Sequence, residues 1–436
     1  MTPWDTPVVR AMRCSVCGTD VDIATPLSFT CPKSSAHDRR HVLRFVSDVV
    51  PFRPIVDINP FLAFRRYLAV DAFGAANGLA DSERASIISE LDQRVSTVAG
   101  TGFVRTPIAR AEELSRELGF VDGGGIWVKD ETHNVGGSQK ARHLFTELIH
   151  LVMAERAGVA PWNSPSNRPR LAISSCGNAA IAASTLAAAM EWPISVFVPT
   201  FASPVVTRTL GELGAKITVC DRRESDPPGD PCVFRFREAV AAGAIPFGVQ
   251  GTENAWCLDG GRTIGWEIIQ EVGHRTSRIF VQVGGGAFAA SIGASFSSIG
   301  VHPKMHAVQT VGCAPLARAY ERACETGGLH NLGPRWSECM WPWESEPHSL
   351  ADGILDDETY DWIPILESMA DTNGFPVVAS EENIVRAHQL AHQFTSIRVS
   401  PTGSAGLAGL LQIRSEIADD EQVVVIFSGV DRESAD

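Results

Sequence analysis

The sequence predicts an α/β protein with two open parallel-sheet domains behind a small zinc-ribbon-like N-terminal segment. Short apolar runs such as "RLAISS", "ISVFVP" and "KITVC" alternate with helical stretches at βαβ spacing. A second series, "IFVQVGGG", "MHAVQTV" and "VVVIFSG", follows a charged, turn-rich break. The first fifty residues instead carry a cysteine knuckle.

At 436 residues the chain is long enough for more than one domain, and its 44% hydrophobic and 20% charged residues are ordinary for an enzyme. A net charge of −14 argues against a general nucleic-acid or anionic-membrane partner. The start, "MTPWDTPVVR", has no signal-like apolar core, and the alanine-rich run 179–190 is too short to span a bilayer, so a cytoplasmic protein is expected. Ten cysteines in so long a chain are no disulfide scaffold.

Taken in order, residues 1–50 hold Cys14, Cys17 and Cys31, with His37 and His41 nearby. Three thiolates and an imidazole complete a tetrahedral zinc site, and the expected set is Cys14, Cys17, Cys31 and His37. The alternative is a zinc-free ribbon remnant or plain loop cysteines. Residues 51–160 read as helical, with apolar spacing of three and four in "ERASIISELDQRVSTV" and "AEELSRELG". A Pro- and Asn-rich linker leads to residues 161–245, the smaller α/β domain. The larger one combines 51–160 with 246–436, and a ligand is expected between them at the carboxyl ends of strands.

Four motifs carry chemistry. In "ETHNVGGSQKARH", Lys140 follows Gly136-Gly137-Ser138, a turn that lets a ligand approach the backbone. A P-loop is excluded, since Gln139 breaks its pattern. "SSCGNAAIAAS" places Ser174, Ser175, Cys176, Gly177 and Asn178 where a strand ends and a helix opens, which suits a carboxylate as well as an ordinary helix cap. Cys176 either faces the site or is a small buried residue. Gly284, Gly285, Gly286 and Ala287 form a run whose N–H groups suit a single phosphate ester. Ser428 stands just past the last strand, where its hydroxyl either meets a heteroaromatic nitrogen or serves the turn.

In this order the motifs resemble the pyridoxal-phosphate enzymes of fold type II, the tryptophan synthase β-subunit superfamily. "TPIARAEELSRELG", "WVKDETHNVGGSQKAR" and "CLDGGRTIGWEII" are similar to stretches of its threonine-synthase-like branch, as are the cysteine knuckle and "NPFLAFRRYLA". The resemblance, from about residue 14 to 431, implies that Lys140 holds pyridoxal phosphate as a Schiff base. It also implies that Asn178 meets the 3′-hydroxyl, that Gly284 to Ala287 cradle the phosphate and that Ser428 faces the pyridine nitrogen. Ser138, Ser174, Ser175, Cys176 and Gly177 are then substrate-side residues, and a homodimer acting on a small amino acid is expected.

A neutral hydroxyl at the ring nitrogen makes a weak electron sink, so elimination is favoured over transamination. Released Lys140 is the natural base for the α-proton. The chain departs from the branch's Ser-Phe-Lys-Asp-Arg in having Gln139 and Ala141, and it carries Cys176 and Ser400 at altered positions. A lyase performing β-elimination or β-replacement is therefore preferred to threonine synthase acting on O-phosphohomoserine. A non-catalytic relative is disfavoured because the lysine and the glycine run are both present. A hydrolase built on the cysteine knuckle lacks carboxylate neighbours. The segment with Trp336, Trp341 and Trp343 is read as a lid, a dimer surface or a buried plug.

Overall fold

The computed structural model describes residues 6–227 and 229–432; the first five residues of the N-terminal stretch and residue 228 of the charged loop lie outside them. A three-stranded antiparallel sheet comes first, β1 (Val9–Cys14), β2 (Asp20–Asp22) and β3 (Leu43–Ser47), in the order β2-β1-β3. The chain then lays down β4 (Ile108–Arg110) and β5 (Gly125–Asp130). It leaves for a four-stranded parallel sheet of β6 (Leu171–Ser174), β7 (Ile194–Pro199), β8 (Lys216–Cys220) and β9 (Ile245–Pro246), ordered β8-β7-β6-β9. It returns with β10 (Arg278–Gln282), β11 (Lys304–Thr310), β12 (Val377–Ala379) and β13 (Gln422–Phe427). The resulting six-stranded sheet runs β12-β11-β10-β13-β5-β4, parallel except for β4.

Parallel strands covered on both faces read as continuous apolar runs, which is why β6, β7, β10, β11 and β13 stand out in the sequence. β5 does not, because "GIWVKD" ends in charges, and the segment 51–160 is not purely helical. Those charges are buried and paired: Lys129 meets Glu267, and its Nζ donates to the Thr106 carbonyl at 2.7 Å.

The helix Lys140–Arg156 begins at the lysine, and Ala141 through Ala154 are all buried. A helix enclosed on every side shows little amphipathic pattern. It packs on the helix Asn178–Ala189, whose alanines allow close approach. Gly136 and Gly137 adopt φ of 66° and 70°, and a Cβ on Gly137 would stand 2.7 Å from Val430 Cγ1, so the turn before Lys140 requires glycine twice over.

At the knuckle, Cys17 Sγ lies 3.6 Å from Cys31 Sγ, and Cys14 Sγ lies 3.3 Å from His41 Nδ1. His37 falls outside this cluster: it sits exposed on a tight turn closed by Ser35 and Asp38, while the chain brings His41 back, buried, beside Cys14, so the group that could hold a metal is Cys14, Cys17, Cys31 and His41. Of the three tryptophans, Trp336 is a buried plug, edge-on to Trp362 at 5.5 Å. Trp341 and Trp343 share the Arg318 guanidinium, 4.0 and 5.2 Å from their ring centres. Among the described residues no helix is long and apolar enough to cross a membrane.

Candidate active site

β10 pairs with β11 on one side and β13 on the other, so the carboxyl ends of these strands open a crevice at the order reversal. Backbone contacts bring three of the four motifs together there. The Gln139 N–H donates to the Ser428 carbonyl at 2.9 Å, and the Val430 N–H to the Gly137 carbonyl at 2.8 Å. A bridge joins Ser138 to Gly429. A Cβ on Gly429 would stand 3.0 Å from Asn178 Nδ2 and 3.3 Å from Ser138 Cβ.

Two residues that the sequence did not single out set the polarity of this junction. Gln282, at the end of β10, shares the two N–H groups of Nε2 among Ser428 Oγ at 2.7 Å and the carbonyls of Gly403 and Ile426 at 2.7 and 3.1 Å. Ser428 is thereby held as an acceptor, and its own hydroxyl proton is left to donate elsewhere. Arg432 donates from Nε to Asn178 Oδ1 at 3.1 Å and also meets the Gly136 carbonyl, so the Asn178 amide keeps Nδ2 as its outward donor. Ser138 Oγ is buried without a hydrogen-bond partner among the described residues, as expected of a group facing a ligand.

The glycine run follows β10 and opens the helix Ala287–Ser297, with Gly286 at φ 104°. A Cβ on Gly284 would lie 2.2 Å from Asp356 Oδ2, and the Gly285 N–H faces the Asp356 carboxylate. The loop thus already receives a carboxyl group. Asp361 braces it from behind: its N–H donates to the Gly285 carbonyl at 3.0 Å, and its Oδ2 accepts from Gly251 at 3.2 Å.

Lys140 is drawn below its ordinary pKa by burial, which the nearby Asp356, Cys257 and Asp361 only partly oppose. Burial pushes the Asp361 carboxyl up to about 7. One turn beyond Lys140, burial and the lysine's own charge hold His143 neutral, down to about 3, with Nδ1 2.7 Å from the Cys257 carbonyl.

On the far wall, Ser174, Ser175, Cys176 and Gly177 are half-buried between β6 and the helix that Gly177 caps. A Cβ at Gly177 would meet nothing within 4 Å, so this loop faces open space. Cys176 is partly exposed, and its thiol is raised by burial and by the negative charge of Asp352 and Asp230. Ala141 is fully buried and adds no polar group.

Solved structures similar in fold include serine racemase from maize, at 18% identity over 80% of this chain and 94% of that one, with a TM-score of 0.60. Threonine deaminase isoform 2 of Solanum lycopersicum shares 17% identity over 89% of this chain and 96% of that one, with a TM-score of 0.59. Diaminopropionate ammonia lyase from Escherichia coli shares 14% over 80% and 88%, again at 0.59. The family model described as "Pyridoxal-phosphate dependent enzyme" matches residues 100–429, from before β4 to one residue past Ser428. Since that match covers every strand of both parallel sheets and all four motifs, the chain belongs to the family of pyridoxal-phosphate dependent enzymes.

Proposed function

We propose that the protein is a lyase that removes or replaces a β-substituent of a small, unphosphorylated amino acid, with pyridoxal phosphate as cofactor. The observation that carries this reading is the hydrogen bond from Gln282 to Ser428, which leaves the serine a neutral donor. The crevice residues fit the cofactor: the glycine loop takes up the Asp356 carboxyl group, Ser138 Oγ lacks a partner among the described residues, and Arg432 occupies Asn178 Oδ1, which leaves Nδ2 to donate. Lys140, Asn178, Gly284 to Ala287 and Ser428 would hold it. When bound, pyridoxal phosphate supplies an electron sink for negative charge at the substrate α-carbon.

The chain's own residues then divide the work. Lys140, its basicity lowered by burial, takes the α-proton. Ser174, Ser175 and the N–H groups opening the helix Asn178–Ala189 receive the substrate carboxylate. Ser428 donates without carrying charge, so it does not hold a ring nitrogen protonated and does not favour transamination.

The resemblance to threonine synthases keeps γ-elimination on O-phosphohomoserine as a second reading. Electrostatics favours the first: Asp352 and Asp230 bear on Cys176, and Asp356 stands with Asp357 and Glu358 beside the glycine loop, which disfavours a second phosphate. The test is to offer the pyridoxal-phosphate-loaded chain L-serine, L-threonine and O-phosphohomoserine. A 2-oxo acid and ammonia from the first two, without phosphate from the third, is expected; threonine with stoichiometric phosphate would establish the second reading instead.

The knuckle is assigned structural zinc on Cys14, Cys17, Cys31 and His41. A tetrahedral site with bonds of about 2.3 Å has edges of roughly 3.7 Å. The 3.6 and 3.3 Å separations at the knuckle are close to that.

A further inference from the structure

The C-terminal run past β13 holds the crevice together, and one further cluster fastens it from outside. Ser400 donates to the Gly429 carbonyl at 3.0 Å, a bridge joins Val399 to Val430, and the Asp431 N–H donates to the Arg398 carbonyl at 2.9 Å. Asp431 is thereby set against the helix Glu381–Thr395, opposite His388 and His392. Four residues apart, these two histidines share one helix face, and their rings meet edge-on at 4.4 Å. One ligand atom from each of the three residues lies within 4.8 Å of the others.

Hydrogen bonding within the cluster does not account for the arrangement. His388 Nε2 is buried and has no hydrogen-bond partner among the described residues. Its distance to Asp431 Oδ2 is 3.7 Å, too long for a hydrogen bond. Two atoms each about 2.1 Å from one ion stand roughly 3 to 4 Å apart, so the ion-pair separation of His388 and Asp431 also suits two ligands of one ion. Val399, on the same clasped run, places its carbonyl 2.8 Å from His392 Nε2 and fixes that ring, the backbone support that metal-binding imidazoles use. Two imidazoles and one carboxylate select a borderline cation such as Zn²⁺ over Mg²⁺ or Ca²⁺, which prefer all-oxygen sites. His392 is exposed, which leaves an entry path and room for water as a fourth ligand.

We propose that His388, His392 and Asp431 form a second metal site, separate from the cysteine knuckle, in which a Zn²⁺-class cation clasps the run carrying Ser428 to the helix Glu381–Thr395. The test dialyses the zinc-loaded full chain, with pyridoxal phosphate, against micromolar free Zn²⁺ and counts zinc per chain. Wild type is expected to hold one equivalent more than His392→Ala, and the affinity for that equivalent is expected to fall at least about tenfold in Asp431→Asn. Replacing Zn²⁺ by Co²⁺ identifies which site is lost, because only the knuckle gives a thiolate charge-transfer band, and His392→Ala should retain it. Equal zinc counts in wild type and His392→Ala, or loss of the thiolate band in that variant, would overturn the proposal.

Discussion

Asp361 shows what enclosure does to a single carboxyl in this crevice. Its folded pKa of about 7 stands above the ordinary 3.8, so the folded chain binds a proton that the unfolded chain releases between those values. The associated stability is fully present below about pH 4 and is lost as pH rises through 7, amounting to at most roughly 4 kcal/mol. Unfolding by urea at pH 4.5 and at pH 7.5, in wild type and Asp361→Asn, should show the variant gaining on wild type at the higher pH; a difference that does not change with pH would contradict this. Lys140, Asn178, the glycine run and Ser428 were legible in the sequence because each sits on a strand or helix end, with turn residues that mark it. Gln282, Asp356, Asp361 and Arg432 were not, because their partners come from segments far away in the chain. Only the polar Gln282, closing the apolar run 279–281 just before the glycines, offered a local signal.

At the scale of elements, the lysine helix is anchored by an ion network on the side away from the crevice. Arg142 is fully buried, with Nε 2.9 Å from Glu131 and NH1 2.6 Å from Glu267, and Lys129 joins the same two carboxylates. Two cations balance two anions, and the network ties β5 to the helices Lys140–Arg156 and Arg262–Glu271. Removing one cation strands a buried carboxylate, so Arg142→Ala should lose about 3–5 kcal/mol of unfolding free energy. A urea midpoint unchanged by that substitution would contradict the account. The network also explains why β5 escaped the sequence reading. Buried charges interrupt the apolar run by which the other central strands were recognised, and Glu267, which meets Lys129, lies more than a hundred residues away in the chain.

The molecule as a whole joins its cysteine knuckle to the crevice through one ionic relay. Arg39 donates to Glu253 at 3.2 Å, Glu253 accepts from Arg237 at 2.8 Å, and the Ala255 N–H donates to the Phe29 carbonyl at 2.8 Å. A metal held in the knuckle, as proposed, would therefore order a module that packs on the loop bracing the glycine run. Zinc should be lost from His41→Ala and kept by His37→Ala; metal analysis giving the reverse would restore the fourth ligand expected from the sequence. The knuckle spacing was legible but the choice of histidine was not, since it depends on how the turn closed by Ser35 and Asp38 aims the chain. Everything in the proposed chemistry passes through one amine. The most direct measurement is the release of 2-oxo acid and ammonia from L-serine and L-threonine by the pyridoxal-phosphate-loaded chain and by Lys140→Ala. Equal amounts of both products from wild type and none from the variant are predicted; release that survives the loss of Lys140 would contradict the account.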